Sequence, residues 1–156
     1  MRTLRILAVG RIRTPFWQQA ATHYMERIRH NCRLTETVVK DGGAALPPTA
    51  RNADEGARLI AAMGPTDIVV CLDEHGRNMT SRDFAGFIER LTENATRTPC
   101  FVIGGAFGLD KSVLQRAEHK LALGPMTFPH EMARVVLLEQ LYRADAILRG
   151  APYHHD

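Results

Sequence analysis

The sequence predicts an α/β fold, a mostly parallel sheet flanked by helices, and three observations point there. Short apolar runs ending in glycine or acid alternate with stretches of helical periodicity along the whole chain. Two of those runs, Asp67–Asp73 and Pro99–Ile103, are continuously apolar, the signature of parallel strands buried on both faces. A length of 156 residues with 45% hydrophobic composition suits one domain with a proper core, so residues 1–156 are expected to form a single unit.

Taken in order, Thr3–Gly10 is an apolar run closed by glycine and reads as a strand, followed by a turn at Arg13–Pro15. Phe16, Trp17, Ala20, Ala21, Tyr24 and Ile28 recur at helical spacing, with Thr14 placed to cap and Pro15 at the first helical position. Arg33–Lys40, with Leu34, Val38, Val39 and two threonines, is β-prone. Lys40–Thr49 holds two glycines and two prolines, so it reads as a loop, either a connector or a lid. A helix is expected over Asn52–Met63, capped near Asn52 or Asp54 and ended by Gly64-Pro65.

Asp67–Asp73 is the next strand, and Glu74-His75-Gly76 reads as a turn after it. Thr80 and Asp83 form a capping-box-like start to a helix carrying Phe84, Phe87, Ile88 and Leu91. The strand from Pro99 runs into the glycines 104–108, Asp110 can cap a short helix through Val113, Leu114 and Ala117, and His119–Leu123 offers a last short strand. After Pro129 comes a long helix whose apolar residues, among them Met132, Val135, Val136, Leu138, Leu141, Tyr142 and Ile147, cover most of its circumference. It should therefore be packed on several sides. Glu139 and Arg143 stand four apart, as an ion pair or as part of a site lined by Arg143 and approached by Thr127 and His130.

Composition narrows the function classes. No apolar run is long enough to span a bilayer, and Met1–Gly10 is too short and arginine-rich for a signal peptide, so a cytoplasmic protein is expected. Cys32, Cys71 and Cys100 lack Cys-x-x-Cys spacing, which indicates neither a disulfide framework nor a metal site. The seven histidines show no ligand spacing either. The net charge of +3 hides an asymmetry: residues 1–33 carry seven arginines against Glu26, while the remainder is acidic on balance. Such a segment can neutralise phosphates or simply be a solvated helix face.

In parallel sheets ligands sit at the carboxyl ends of strands. Three strand ends matter here, Leu72–Gly76, Gly104–Gly108 and Leu123–Pro129, and each supplies backbone rather than reactive side chains. The glycines do not fit a dinucleotide fingerprint, lacking its Gly-x-Gly start, and no Gly-Lys-Ser/Thr follows them as a P-loop requires.

Leu72-Asp73, the Val102-Ile-Gly-Gly-x-x-Gly-Leu109 run, Met126-Thr-Phe-Pro-His130, Leu138-Glu-Gln-Leu-Tyr-Arg-Ala144 and the ending Pro152-Tyr-His154 together resemble the bacterial large-subunit ribosomal RNA pseudouridine N3-methyltransferases of the SPOUT superfamily. The resemblance covers nearly the whole chain. It implies an α/β sheet with a C-terminal trefoil knot, a rare exception to ordinary threading. It implies a cradle for S-adenosylmethionine at Leu72, Gly104, Gly105, Leu123, Gly124, Pro125, Met126, Thr127 and Phe128. It also implies a homodimer with the last helix at or near the interface, no metal, ribosomal RNA on assembled ribosomes as substrate, and Arg143, Tyr153, His154 and His130 as catalytic or RNA-positioning candidates.

Each candidate also has a plainer reading. His130 can cap the long helix, His154 can be a frayed tail residue, and Tyr153 can be an apolar anchor. Two departures from the family pattern stand out: Gly124 where serine is common, and His155-Asp156 where the tail usually ends in arginine or lysine. A non-catalytic ribosome- or RNA-binding protein with the same knot, or a methyltransferase for another RNA, are the contrasting expectations.

Overall fold

The structure is a computed structural model and describes residues 1–155. Five strands form one sheet: β1 (Arg2–Val9), β2 (Cys32–Val39), β3 (Asp67–Arg77), β4 (Thr98–Ile103) and β5 (His119–Leu121). Their spatial order is β2-β1-β4-β3-β5, and every paired neighbour is parallel. The helices are α1 (Pro15–Arg29), α2 (Pro48–Ala62), α3 (Ser81–Thr92), α4 (Lys111–Arg116) and α5 (His130–Leu148).

Period-two alternation divides the sheet into two cores. In β1, Leu4, Ile6 and Ala8 face a core shared with α1, α3 and α5, whereas Leu7 and Val9 face a smaller one completed by Leu59 of α2 and Val113 of α4. Phe101, wholly buried on β4, meets Phe84 of α3 edge to face, with ring centroids 6.2 Å apart. The three cysteines lie inside these cores, and burial raises the Cys71 and Cys100 thiols from 9.0 to about 12 and Cys32 to about 11.

Two caps behave as the sequence predicts. The Thr80 hydroxyl accepts from the Asp83 amide at 3.1 Å, and the Asp110 carboxylate accepts from the Ser112 amide at 2.9 Å. Thr14 does hold the cap position of α1, but its side chain makes no cap bond. Instead Glu131 of α5 accepts from the Arg13 amide at 2.7 Å and the Thr14 amide at 3.3 Å.

Two expectations are corrected. The second helix begins at Pro48, not near Asn52 or Asp54. Pro48 stands at the helix's first position, where its missing amide costs nothing, and the Arg51 amide bonds the Pro47 carbonyl at 2.9 Å. The paired prolines thus start a helix rather than prolong a loop. Likewise Glu74-His75-Gly76 is not a turn leaving the sheet. Strand β3 bulges after Leu72 and resumes at Arg77, with both residues in register with Leu121. Gly76 permits this, since a Cβ there would lie 2.7 Å from the Leu121 backbone.

Helix α5 is packed as its sequence implies: no residue from His130 to Leu148 is fully exposed. Two buried polar residues on it escaped the sequence reading. Arg134, 2% exposed, donates to the Gly10 carbonyl at 2.7 Å and the Val9 carbonyl at 3.3 Å, and faces Glu36 at 3.4 Å. Asp145 accepts from Arg149 at 2.8 Å and pairs with Arg2 at 3.5 Å. The helix is thereby tied to the end of β1 at one terminus and to the start of β1 at the other.

Candidate active site

The carboxyl ends of β3, β4 and β5 open into a cavity of about 720 Å³. Main chain builds most of its wall. Gly104 closes one side so tightly that a Cβ there would lie 2.4 Å from the Gly108 carbonyl oxygen, and the loop is locked by a Gly108 amide to Gly105 carbonyl bond of 3.1 Å. Of the residues expected to hold a cofactor, Leu72, Gly104, Gly105, Leu123, Gly124, Met126, Thr127 and Phe128 line this cavity. Pro125 sits in the same loop, exposed, and is not part of the lining. Gly124 adopts φ +138°, a conformation that L side chains rarely take, so a serine there would be strained.

The lining also includes Asp73, expected at a strand end, and Glu74, which the sequence placed in a turn. Glu74 accepts a hydrogen bond from the Thr127 hydroxyl at 3.0 Å, linking the end of β3 to the loop after β5. Two carboxylates and a glycine cradle fit a ligand that is cationic at one end and offers a planar hydrogen-bonding edge at the other, and the volume is in the range for a nucleoside-sized molecule. Exposed Phe107 and Met126 form the lips. Met126 was among the residues expected there, whereas Phe107 could not be picked out from sequence, because a lone apolar residue in a loop has no period to mark it.

His130 lines the cavity as well, at the first turn of α5. It does not cap that helix, because the cap position is Pro129 and no side chain bonds there. The other three candidates lie elsewhere. Thirteen residues separate His130 from Arg143 on one continuous helix, roughly 20 Å at the α-helical rise. Within one chain they cannot share a site.

Around Arg143 the side chains form a cluster of their own. Its Nε donates to Glu139 Oε1 at 3.0 Å, its guanidinium lies 4.7 Å from the centre of the Tyr153 ring, and Nη1 contacts His154 Nδ1 at 3.2 Å. A guanidinium only donates, so Nδ1 of His154 accepts and the ring proton sits on Nε2. The Tyr153 hydroxyl donates to the same Glu139 oxygen at 3.1 Å, while its ring packs on Tyr142 at 4.6 Å. Burial, a hydrogen bond with Tyr24 and the Glu139 charge push the Tyr153 phenol well above its ordinary value of 10.0. It therefore stays protonated at neutral pH. The hydrogen bond to Glu139 raises Arg143 further, so it remains a cation. The Glu139–Arg143 ion pair thus exists and organises the tail, whereas the expected approach of Thr127 and His130 to Arg143 does not occur within one chain, because both line the cavity at the other end of α5.

The N-terminal arginines divide. Arg5 is bound to Asp67 at 2.6 Å, Arg2 to Asp145, and Arg27 stacks 4.8 Å from the Tyr142 ring centre. Arg11 and Arg13, with Lys40, instead line a second cavity of about 650 Å³ at the ends of β1 and β2, beside Asp41. Among the described residues no cluster could hold a metal ion, and no helix is long and apolar enough to cross a membrane.

Comparison with known proteins agrees with this geometry. A protein of Nitratidesulfovibrio vulgaris named ribosomal RNA large subunit methyltransferase H is 72% identical, covering 99% of this chain and 100% of that one. One of Oleidesulfovibrio alaskensis with the same name is 59% identical at the same coverage. Among solved structures, a probable methyltransferase from Bordetella pertussis matches with a TM-score of 0.56 at 16% identity, covering 92% of this chain and 93% of that one, a likeness of fold alone. The family described as "Predicted SPOUT methyltransferase" matches residues 1–154. A parallel sheet with a main-chain cradle at its strand ends, and relatives of this identity over the full length, place the chain in the SPOUT methyltransferase family.

Proposed function

We propose that this protein is an S-adenosylmethionine-dependent methyltransferase that methylates N3 of a pseudouridine in large-subunit ribosomal RNA, in the cytoplasm and on assembled ribosomes. The observation that carries the reading is the glycine-walled cavity at the ends of β3, β4 and β5, together with the relatives' shared name. S-adenosylmethionine, when bound, supplies an electrophilic methyl group on a sulfonium. Gly104, Gly105 and the 123–128 loop would present main chain to it, while Asp73 and Glu74 favour its positive charge. Alignment of methyl and acceptor then carries much of the acceleration.

The acceptor side requires a group that steadies the negative charge developing on the imide as N3 loses its proton. Arg143 is a fixed cation suited to that task, and Tyr153, held protonated, can donate but not accept the proton. His130, in the cavity, is the imidazole placed to take it. Because Arg143 lies about 20 Å along α5 from the cavity of its own chain, the reading includes a homodimer in which each tail completes the other copy's site. The trefoil threading of residues after β4 belongs to the same reading. The basic groove of Arg11, Arg13 and Lys40 supports RNA contact, as a place for backbone phosphates.

The test is methyl transfer from labelled S-adenosylmethionine to ribosomes lacking the modification, with assembled ribosomes, separated subunits and naked rRNA compared. The expected result is incorporation at one large-subunit pseudouridine. Cofactor binding without transfer to any ribosomal form, where a related enzyme works, would sink the assignment in favour of another RNA or a binding-only role.

A further inference from the structure

Behind the cavity wall lies a carboxylate with no evident employment. Glu55, in the second turn of α2, is 2% exposed. Its Oε1 accepts from the buried Gly42 amide at 2.9 Å and from Arg51 Nε at 3.2 Å. Its Oε2 is buried and has no hydrogen-bond partner. Burying a charged oxygen without a partner is costly, so such an atom calls for an explanation beyond packing.

Its surroundings supply one. A Cβ on Gly105 would lie 2.9 Å from Glu55 Oε2 and 3.3 Å from Oε1, so the carboxylate presses directly on the glycine loop that walls the cavity. The preceding turn of α2 holds the far side of that loop: Asn52 Nδ2 donates to the Phe107 carbonyl at 2.9 Å, and the Arg51 guanidinium lies 5.6 Å from the Phe107 ring centre. On its other side Glu55 grips Gly42, in the loop between β2 and α2, where Arg58 also binds the Lys40 and Asp41 carbonyls at 2.9 and 3.0 Å.

From this geometry we propose that Glu55 is a positioning residue for the cofactor loop, its orphan Oε2 accepting a main-chain amide of the Gly105–Ala106 segment when the cavity is filled. Oε1 is already committed to Gly42 and Arg51, so the two oxygens have separate tasks: one anchors the 40–47 loop, and the other fixes the cradle. Gly105 has no side chain because this carboxylate occupies the space. The inference rests on the cavity being the S-adenosylmethionine site.

Glu55→Gln is the informative variant. Gly42 and Arg51 both donate, so the amide oxygen must face them, which turns the NH₂ toward the glycine loop and replaces an acceptor by a donor. Calorimetric titration with S-adenosylhomocysteine should show affinity reduced about tenfold, with KM for S-adenosylmethionine raised to match and kcat within about twofold. Hydrogen exchange at Gly105 and Ala106 should slow on ligand addition in the parent protein and not in the variant. A second variant, Glu55→Asp, keeps the charge and should recover part of the affinity. Parent-like affinity and exchange in Glu55→Gln would overturn the proposal, as would an affinity loss matched by a collapsed melting transition. A parent protein that binds no S-adenosylhomocysteine would overturn both this inference and the cofactor reading, whereas parent binding with an indifferent variant would overturn this one alone.

Discussion

The two ends of α5 are built on opposite plans. At its N-terminus His130 opens onto a cavity whose walls are main chain, with Gly104 and Gly105 admitting nothing larger than hydrogen. At its C-terminus Glu139, Arg143, Tyr153 and His154 make a cluster of side chains alone, held by hydrogen bonds and ring contacts between 3.0 and 4.7 Å. Backbone cradles recognise a constant ligand by shape and hydrogen-bonding edge, and they tolerate little change at the glycines. Side-chain clusters stabilise developing charge and can be dismantled one group at a time. Under the proposed function, one plan at each end of a rigid helix separates holding the cofactor from acting on the acceptor.

A pair of inactive variants separates the two ends of α5 most sharply. Arg143→Ala should lower methyl transfer about 10²–10³-fold, the usual cost of losing a charge-stabilising donor, while S-adenosylhomocysteine affinity stays within about twofold. Gly104→Ala should do the reverse, abolishing measurable cofactor binding because its Cβ has no room beside Gly108. If the tail serves the partner's cavity, mixing and reannealing the two inactive proteins in equal amounts should restore about a quarter of the parent rate, since half the dimers are mixed and each holds one intact site. No recovery in a mixture shown to exchange subunits would mean that the sites are not shared.

Tyr153→Phe removes one hydrogen bond to Glu139 but leaves the ring on Tyr142, so kcat should fall about tenfold with KM for cofactor unchanged. An unaltered kcat would reduce Tyr153 to the apolar anchor of the tail. Away from both regions, Thr80→Ala should cost about 1 kcal/mol in chemical unfolding by uncapping α3, with activity intact. At neutral pH nothing changes at the buried thiols, and their effect is confined to alkaline pH. Cys71 and Cys100 titrate higher folded, at about 12, than at their ordinary 9.0. Their contribution is therefore fully present below pH 9 and is lost progressively as pH rises toward 12. Thermal melts between pH 8 and 11 should show the decline, and iodoacetamide at pH 8 should label none of the three cysteines before unfolding.

Much of the framework was legible because it rests on local chemistry. The continuous apolar runs became β3 and β4, inner strands of the sheet, and Thr80 and Asp110 capped helices as their short polar side chains dispose them to do. The misread stretches were those where one residue type serves two purposes. Pro47-Pro48 looked like a breaker and proved to be a helix start, and Gly76 looked like a turn residue and proved to allow close strand approach. Arg134 and Asp145 were invisible as buried groups, since their partners are the Gly10 carbonyl and Arg2, more than a hundred residues away.

The glycine loop, the 123–128 loop and the Arg143–Tyr153–His154 set could be named from residue types and order, because their chemistry is carried by identity. The resemblance already grouped the first two in one cradle, and only the tertiary structure decided that the third lies a helix length away from it. It also showed which arginines are consumed by Asp67 and Asp145 and which remain at the groove, and it put Glu55 beneath Gly105. The physical reason is that periodicity and capping act over a few residues, whereas these juxtapositions follow from how a parallel sheet orders its strands. In the order β2-β1-β4-β3-β5, segments distant in sequence meet at the same edge.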